Sequence, residues 1–313
     1  MFSFVARRIL ATVPVLLIVA VLVFLLLRLT PGDPAAILAG DAASTEQIAR
    51  IRASLGLERP ILVQFGIWFG NLARGDLGES FYYKTQVAAL IGQRLEPTLS
   101  LAALTILIAI LTAVPLGVLA AWRFGGWLDR ALMGFSVLGF SVPVFVLAYI
   151  LIYIVSLKLG LLPVQGYQRL AGGAGPWLYH LALPSITLSV IYVALLARVT
   201  RASVMDALGE DYIRTARAKG LPELRVLVRH ALVNAAVPIV TVIGIGIALL
   251  IGGVVVTESV YAIPGLGRLT VDAVLARDFP TVQGLILFFS FVYVLINLLV
   301  DLSYVFLDPR IRY

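Results

Sequence analysis

The chain has 313 residues, of which 61% are hydrophobic and 13% charged, roughly half the charged share of a soluble domain. That balance excludes a soluble globule and reads as an all-α integral membrane protein. The net charge of +7 sits in loops flanking apolar runs, which excludes a nucleic-acid partner. The absence of cysteine excludes disulfides and thiolate chemistry, and two histidines, His180 and His230, are too few for a zinc site.

Six apolar runs approach the ~20 residues a membrane helix needs: 9–27, 98–121, 131–157, 178–197, 235–256 and 281–306. The first follows Arg7 and Arg8 and continues into "RLTPGDP" without a small-residue cleavage site. Residues 1–27 are therefore expected as a cytoplasmic N-terminus and a retained first span, not a signal peptide.

Residues 28–97 form an expected extracytoplasmic loop of amphipathic helices. "STEQIARIRASLG" opens on a capping box, Ser44 with Gln47, and stops at Gly56. The next helix has Pro60 in its first turn and Gly75 just past its end. A third short helix is expected near 86–95, ahead of Pro97. The loop reads either as a docking platform for a soluble partner or as a structural plug.

Residues 98–313 make the expected five-span core. Pro14, Pro115, Pro143, Pro184 and Pro238 lie in or near the spans and permit kinks. Small residues across 244–253, "GIGIALLIGG", permit close approach of another helix. The basic residues set the orientation. With the N-terminus inside, the inner segments carry Arg7, Arg8, Arg123, Arg130, Arg198, Arg201, Arg214, Arg217, Lys219, Arg225, Arg229, Arg310 and Arg312. The short outer loops carry only Lys158, Arg169, Arg268 and Arg277, so both termini are expected in the cytoplasm.

Catalytic equipment is missing. No GxxxxGK[ST], HExxH or GxSxG pattern occurs, so ATP binding by a phosphate loop is excluded and an enzyme has little to work with. Asp301, with Asn297 one turn before it, is the clearest ionisable residue in a span, and capping or pairing near the interface is its expected role.

Between the fourth and fifth spans lies a basic helical hairpin, 198–234. A helix is expected over 202–219, stopped by Gly220 in a left-handed conformation, with Pro222 restarting the chain. Tyr212, Ala216 and Lys219 fall on one side, and Thr215, Ala216 and Ala218 leave a shallow surface beside the turn. Arg214, Arg217 and Lys219 ring it. Two readings fit these residues: insertion into a partner's cleft, or an interfacial hairpin gripping anionic membrane lipids.

The stretch "EDYIRTARAKGL" resembles the coupling loop of binding-protein-dependent ABC importer permeases, in the form of the peptide branch: dipeptide, oligopeptide, glutathione and nickel permeases. "FVARRIL", "TPGDP", "LGLERPILVQF", "RGDLGES", "RLEPTLSL", "LPSITL", "ARVTRAS", "VVVTESVYAIPGLGRL" and "DPRIRY" extend the resemblance along the whole chain, in order and spacing. The pattern is most similar to the first permease subunit of such systems, with a large outer loop.

The resemblance implies a six-span type I importer permease in the bacterial cytoplasmic (inner) membrane. Its implied partners are a homologous second permease in a heterodimer, two ABC ATPases and an extracytoplasmic solute-binding protein. The chain itself would bind no cofactor, ATP and Mg being used by the ATPases. The cargo implied is a di- or oligopeptide or a small peptide such as glutathione; a passive channel or scaffold without ATPases is the alternative. Glu210, Asp211, Arg214, Thr215, Ala216, Arg217, Ala218, Lys219 and Gly220 are the implied ATPase-coupling residues. Pro264, Gly265, Leu266 and Gly267 form the outer connection implied to lie near the translocation path.

Overall fold

A computed structural model describes residues 2–29, 35–36, 44–54 and 56–307. Among these the chain is helical, with a lone antiparallel bridge between Glu79 and Gln86. In chain order the helices are α1 (Phe2–Leu29), α2 (Thr45–Ser54), α3 (Ile61–Ala73), α4 (Val87–Trp122) and α5 (Trp127–Ser141). Then come α6 (Val144–Leu151), α7 (Ala174–Leu208), α8 (Asp211–Ala218) and α9 (Glu223–Arg225). The last four are α10 (Ala236–Gly253), α11 (Val255–Val260), α12 (Leu266–Leu275) and α13 (Phe279–Leu307). Wide π-helical turns extend α6 over Ile152–Lys158 and α9 over Val226–Leu232.

Among the described residues, three helices are long and apolar enough to cross a membrane: Val87–Trp122, Ala174–Leu208 and Phe279–Tyr304. The number rises to five when each of two bent pairs counts as one span. The first expected span lies within α1, whose shorter apolar stretch is Leu10–Leu26.

The run expected as one span over 131–157 is broken at Val142 and Pro143, with a 103° bend. Pro143 has no amide to continue the ladder, and it pushes Val142 into an extended conformation (φ −89°, ψ 120°). Pro14, Pro97, Pro115 and Pro184 by contrast lie inside continuous helices, and Pro238 falls in the first turn of α10. The helix expected near 86–95 is likewise not separate. It is the start of α4, which passes through Pro97 unbroken.

Helices α4 and α7 lie side by side as parallel neighbours. At one end the Trp177 indole Nε1 donates to Ser100 Oγ at 3.2 Å; at the other, Gly117 packs on Thr200. Small side chains make this approach possible. On α4, Thr98, Ala102, Thr105, Ala109, Ala113, Gly117 and Ala120 are all buried, spaced three or four apart on one face. Ser185, Ser189, Ala194, Ala197 and Thr200 are buried on α7. With little difference in polarity between lipid and side chains, such close packing is what holds membrane helices together. The expected small face of 244–253 behaves the same way against α13, since a Cβ on Gly244 would fall 2.1 Å from Val300.

In the first loop, the Ser44 amide donates to Gln47 Oε1 (3.0 Å) and the Gln47 amide to Ser44 Oγ (3.3 Å), completing the capping box. Helix α3 ends as expected at Arg74 and Gly75. It packs onto α1 through aromatic rings, with Phe65 and Trp68 5.1 and 5.6 Å from Phe24. The loop is pinned at its far end by Asp278, a buried carboxylate just before α13. It accepts from Ser80 Oγ (2.5 Å), the Phe81 amide (2.9 Å) and Thr281 Oγ1 (2.6 Å).

Candidate functional site

The hairpin is built from two short helices. The single helix expected over 202–219 does not form: α7 ends at Leu208, Gly209 closes it, and Glu210 (φ −76°, ψ 150°) starts α8. The order Gly-Glu-Asp explains the break. A flexible residue with poor helix propensity precedes two acids, which stabilise the electropositive start of a new helix. Asp211 occupies the first turn of α8.

At its far end α8 closes in a Schellman turn. The Gly220 amide donates to the Arg217 carbonyl (2.9 Å) and the Leu221 amide to the Ala216 carbonyl (3.3 Å). Gly220 has φ +72°, the left-handed conformation expected of it. Arg217 reaches across the turn to Glu223 with two bonds, Nη2–Oε1 at 2.6 Å and Nε–Oε2 at 3.2 Å. The Glu223 bond holds the Arg217 guanidinium above its ordinary pKa.

The two sides of α8 differ. Ile213 and Ala216 point inward and pack in one apolar cluster with Val226, Leu227, Ala231, Val204 and Ala121. The hairpin is thus seated on the ends of α4 and α7. Arg214, Thr215, Ala218 and Lys219 point outward, with Tyr212 beside them. Ala216 is therefore packing inside the hairpin, not part of its outer surface. Sequence reasoning did not single out Leu224, which stands 74% exposed on the second arm.

A further anchor joins the first turn of α5 to α7. Asp129 is buried and accepts from Arg201 through both oxygens, the Nη2–Oδ2 bond being 2.9 Å, and from the Gly125 amide at 3.0 Å. Arg201 also lies 5.3 Å over the Phe124 ring. These partners are 72 residues apart in sequence, so no local pattern announced them. Converting Asp129 to Asn should destabilise the protein by about 3 kcal/mol, because Arg201 is left buried without its counter-charge. The double replacement Asp129→Leu with Arg201→Met should cost far less. Thermal unfolding of both variants in one detergent checks the difference.

At the opposite end of the α4–α7 pair lies the turn Pro264, Gly265, Leu266 and Gly267, which leads into α12. It is built around Glu258, a fully buried side chain on α11. Thr98 Oγ1 of α4 donates to Glu258 Oε1 at 2.6 Å, the Arg268 amide donates to Oε2 at 2.9 Å, and the Leu266 amide donates to Thr98 Oγ1 at 2.8 Å. A Cβ on Gly265 would lie 2.0 Å from Glu258 Oε1, and one on Gly267 would lie 2.8 Å from the Val255 Cα. Both glycines are thus required by contact. Burial pushes the Glu258 carboxyl up from the ordinary range, opposed by the bonds from Thr98 and the Arg268 and Gly267 amides. Sequence reasoning passed over this residue; the signal was a lone carboxylate between an apolar run and a glycine-rich turn.

Asp301 pairs with Arg8 of α1 (Nη1–Oδ2 2.6 Å), as expected of a carboxylate near the membrane interface. Asn297 donates to the Tyr293 carbonyl one turn back (3.0 Å). In the first loop a cavity of about 600 Å³ is lined by residues including Arg59, Trp68, Asn71, Asp76, Phe81 and Lys84.

Long apolar helices packed on small residues, carrying a basic hairpin seated on two of them, define the membrane component of a transport system. The chain belongs to the family described as binding-protein-dependent transport system inner membrane component, whose model matches residues 113–313. The N-terminal model of such membrane components matches residues 1–102. A probable peptide ABC transporter permease of Sinorhizobium fredii is 52% identical over 310 residues, covering 99% of both chains. A putative peptide transport system permease of Brucella abortus is 46% identical over the full length of both. The glutathione transport system permease protein GsiC of Escherichia coli is 44% identical over 314 residues, again covering both chains fully. The fold is similar to a chain of the inward-facing MetNI methionine ABC transporter (TM-score 0.58, 18% identity), over 70% of this chain and 96% of that one. The protein is a permease subunit of a binding-protein-dependent importer in the bacterial inner membrane.

Proposed function

We propose that this permease carries di- or oligopeptides, or a small peptide such as glutathione, as one half of a heterodimeric channel with a homologous second permease. The peptide cargo rests on the relatives, which are named for peptide and glutathione transport. Six spans cross the membrane, with α1 as the first, and both termini and the hairpin face the cytoplasm. An extracytoplasmic solute-binding protein delivers cargo to the side of the first loop. Two ABC ATPases bind ATP and Mg and hydrolyse the nucleotide; this chain binds no cofactor and catalyses nothing.

The observation that carries the coupling role is the division of α8 into an inward and an outward face. Ile213 and Ala216 fasten the hairpin to the ends of α4 and α7. Tyr212, Arg214, Thr215, Ala218, Lys219 and Leu224 are left for a groove on the ATPase. Closure of that groove would push on the hairpin, and its apolar seat would pass the push to two membrane helices.

Purification of the tagged protein from its own host in mild detergent, with copurifying chains identified by mass spectrometry, tests this reading. ATPases and a second permease should accompany the wild type. The Gly220→Pro variant should lose the ATPases and keep the second permease. Proline cannot adopt the φ of +72° and has no amide for the Arg217 carbonyl. Nucleotide-binding partners absent throughout would overturn the proposal.

A further inference from the structure

We propose that Glu258 is a positioning residue for transport: it keys the Pro264–Gly267 turn to α4, so that the turn moves with the α4–α7 pair. Three observations converge. Glu258 is fully buried and accepts from Thr98 on α4 and from the Arg268 amide at the start of α12. Thr98 in turn accepts from the Leu266 amide, so one carboxylate and one hydroxyl satisfy the start of α12 and bind it to α4. Three residues after Glu258, at the C-cap of α11, the buried Tyr261 makes a second tie. Its hydroxyl lies 2.7 Å from Thr187 Oγ1 on α7. Thr187 spends its own hydrogen on the Leu183 carbonyl at 2.8 Å, so Tyr261 is the donor.

The α11 segment is therefore bonded to both members of the helix pair whose other ends hold the hairpin. Helix α7 alone has 35 residues, a rigid length of about 50 Å. A displacement at the hairpin is carried along the pair, and Glu258 and Tyr261 decide whether the turn follows it. Apolar packing of Leu266 and Leu269 against Val87 and Leu90 holds the turn near α4 without these bonds but gives them no direction. The inference rests on the ATPase-coupled reading of the hairpin.

The test uses the complete transporter, reconstituted in vesicles with its ATPases and binding protein, and measures transport and ATP hydrolysis in parallel. Glu258→Gln keeps the volume but offers one acceptor oxygen, so either Thr98 or the Arg268 amide loses its partner. Thr98→Val removes the hydroxyl, and Thr98→Ser restores it. For Glu258→Gln and Thr98→Val, transport per ATP hydrolysed is expected to fall by about tenfold, the scale of one unsatisfied buried polar group. Assembly and basal hydrolysis should stay within about twofold of wild type, and Thr98→Ser should recover coupling. Three results would each overturn the proposal: an unchanged ratio, a parallel fall in both activities, or failure of the variants to assemble, which would make Glu258 a strut. A wild-type complex that shows no ATP-driven uptake would instead sink the parent reading, so the two failures are separable.

Discussion

Transport should fall to background, and the ATPase subunits should be lost from the purified complex, when Ala216 is replaced by arginine. The effect does not come from blocking the docking surface. Ala216 is 6% exposed and packs with Ile213, Val226, Leu227 and Ala231. An arginine there must either bury a guanidinium without a counter-charge or lever α8 off the ends of α4 and α7. The first costs several kcal/mol, and the second unseats the hairpin. Ala218→Arg is the control, because Ala218 is exposed beside the same turn. It should leave α8 seated and weaken only the contact with the ATPase. Cross-linking between α8 and the second arm of the hairpin, read with uptake in vesicles, separates the two. Uptake near the wild-type level in Ala216→Arg would show that the inward face carries no force.

Gly117→Val is expected to cost about 3 kcal/mol or more and to abolish recovery of folded protein. A Cβ at Gly117 would stand 2.7 Å from Thr200 Cβ and 2.8 Å from the Ala197 carbonyl oxygen. The oxygen belongs to the α7 backbone and cannot rotate away, so the two helices must separate. Separation undoes the run of small-residue contacts on both helices, which in a bilayer has no hydrophobic driving force to replace it. Gly117→Ala should be damaging too, by a smaller margin. Thermal stability of the purified variants in detergent, followed by size-exclusion chromatography, gives the order. A Gly117→Val variant as stable as wild type would mean that α4 and α7 do not pack through this glycine.

Features set by neighbouring residues were legible in the sequence. The Ser44–Gln47 box, the Pro60 and Gly75 bounds of α3 and the left-handed Gly220 each follow from a few adjacent side chains. The peptide-branch resemblance added the order of segments along the whole chain, which the family matches bear out. Breaks were harder to place. Five prolines looked alike, yet only Pro143 breaks its run, and Pro97 sits in mid-helix where a loop-to-span boundary was expected. The physical reason is that a membrane helix tolerates a lost amide when its neighbours hold it, and those neighbours are distant in sequence. The same distance hid the polar anchors. Asp129 and Arg201, Thr98 and Glu258, and Ser80 and Asp278 are separated by 72, 160 and 198 residues.

The clasp on Asp278 has a consequence for how the chain is made. Ser80 leaves the ribosome with the first third of the protein, but its acceptor is supplied only when the segment before α13 has been synthesised. Until then the Ser80 hydroxyl, which accepts locally from the Tyr83 amide, and the Phe81 amide both lack this acceptor, and α13 has yet to provide Thr281 as the third donor. The part of the molecule that is translated early is thus fastened late, and insertion of the last helix doubles as the closing step of the first loop.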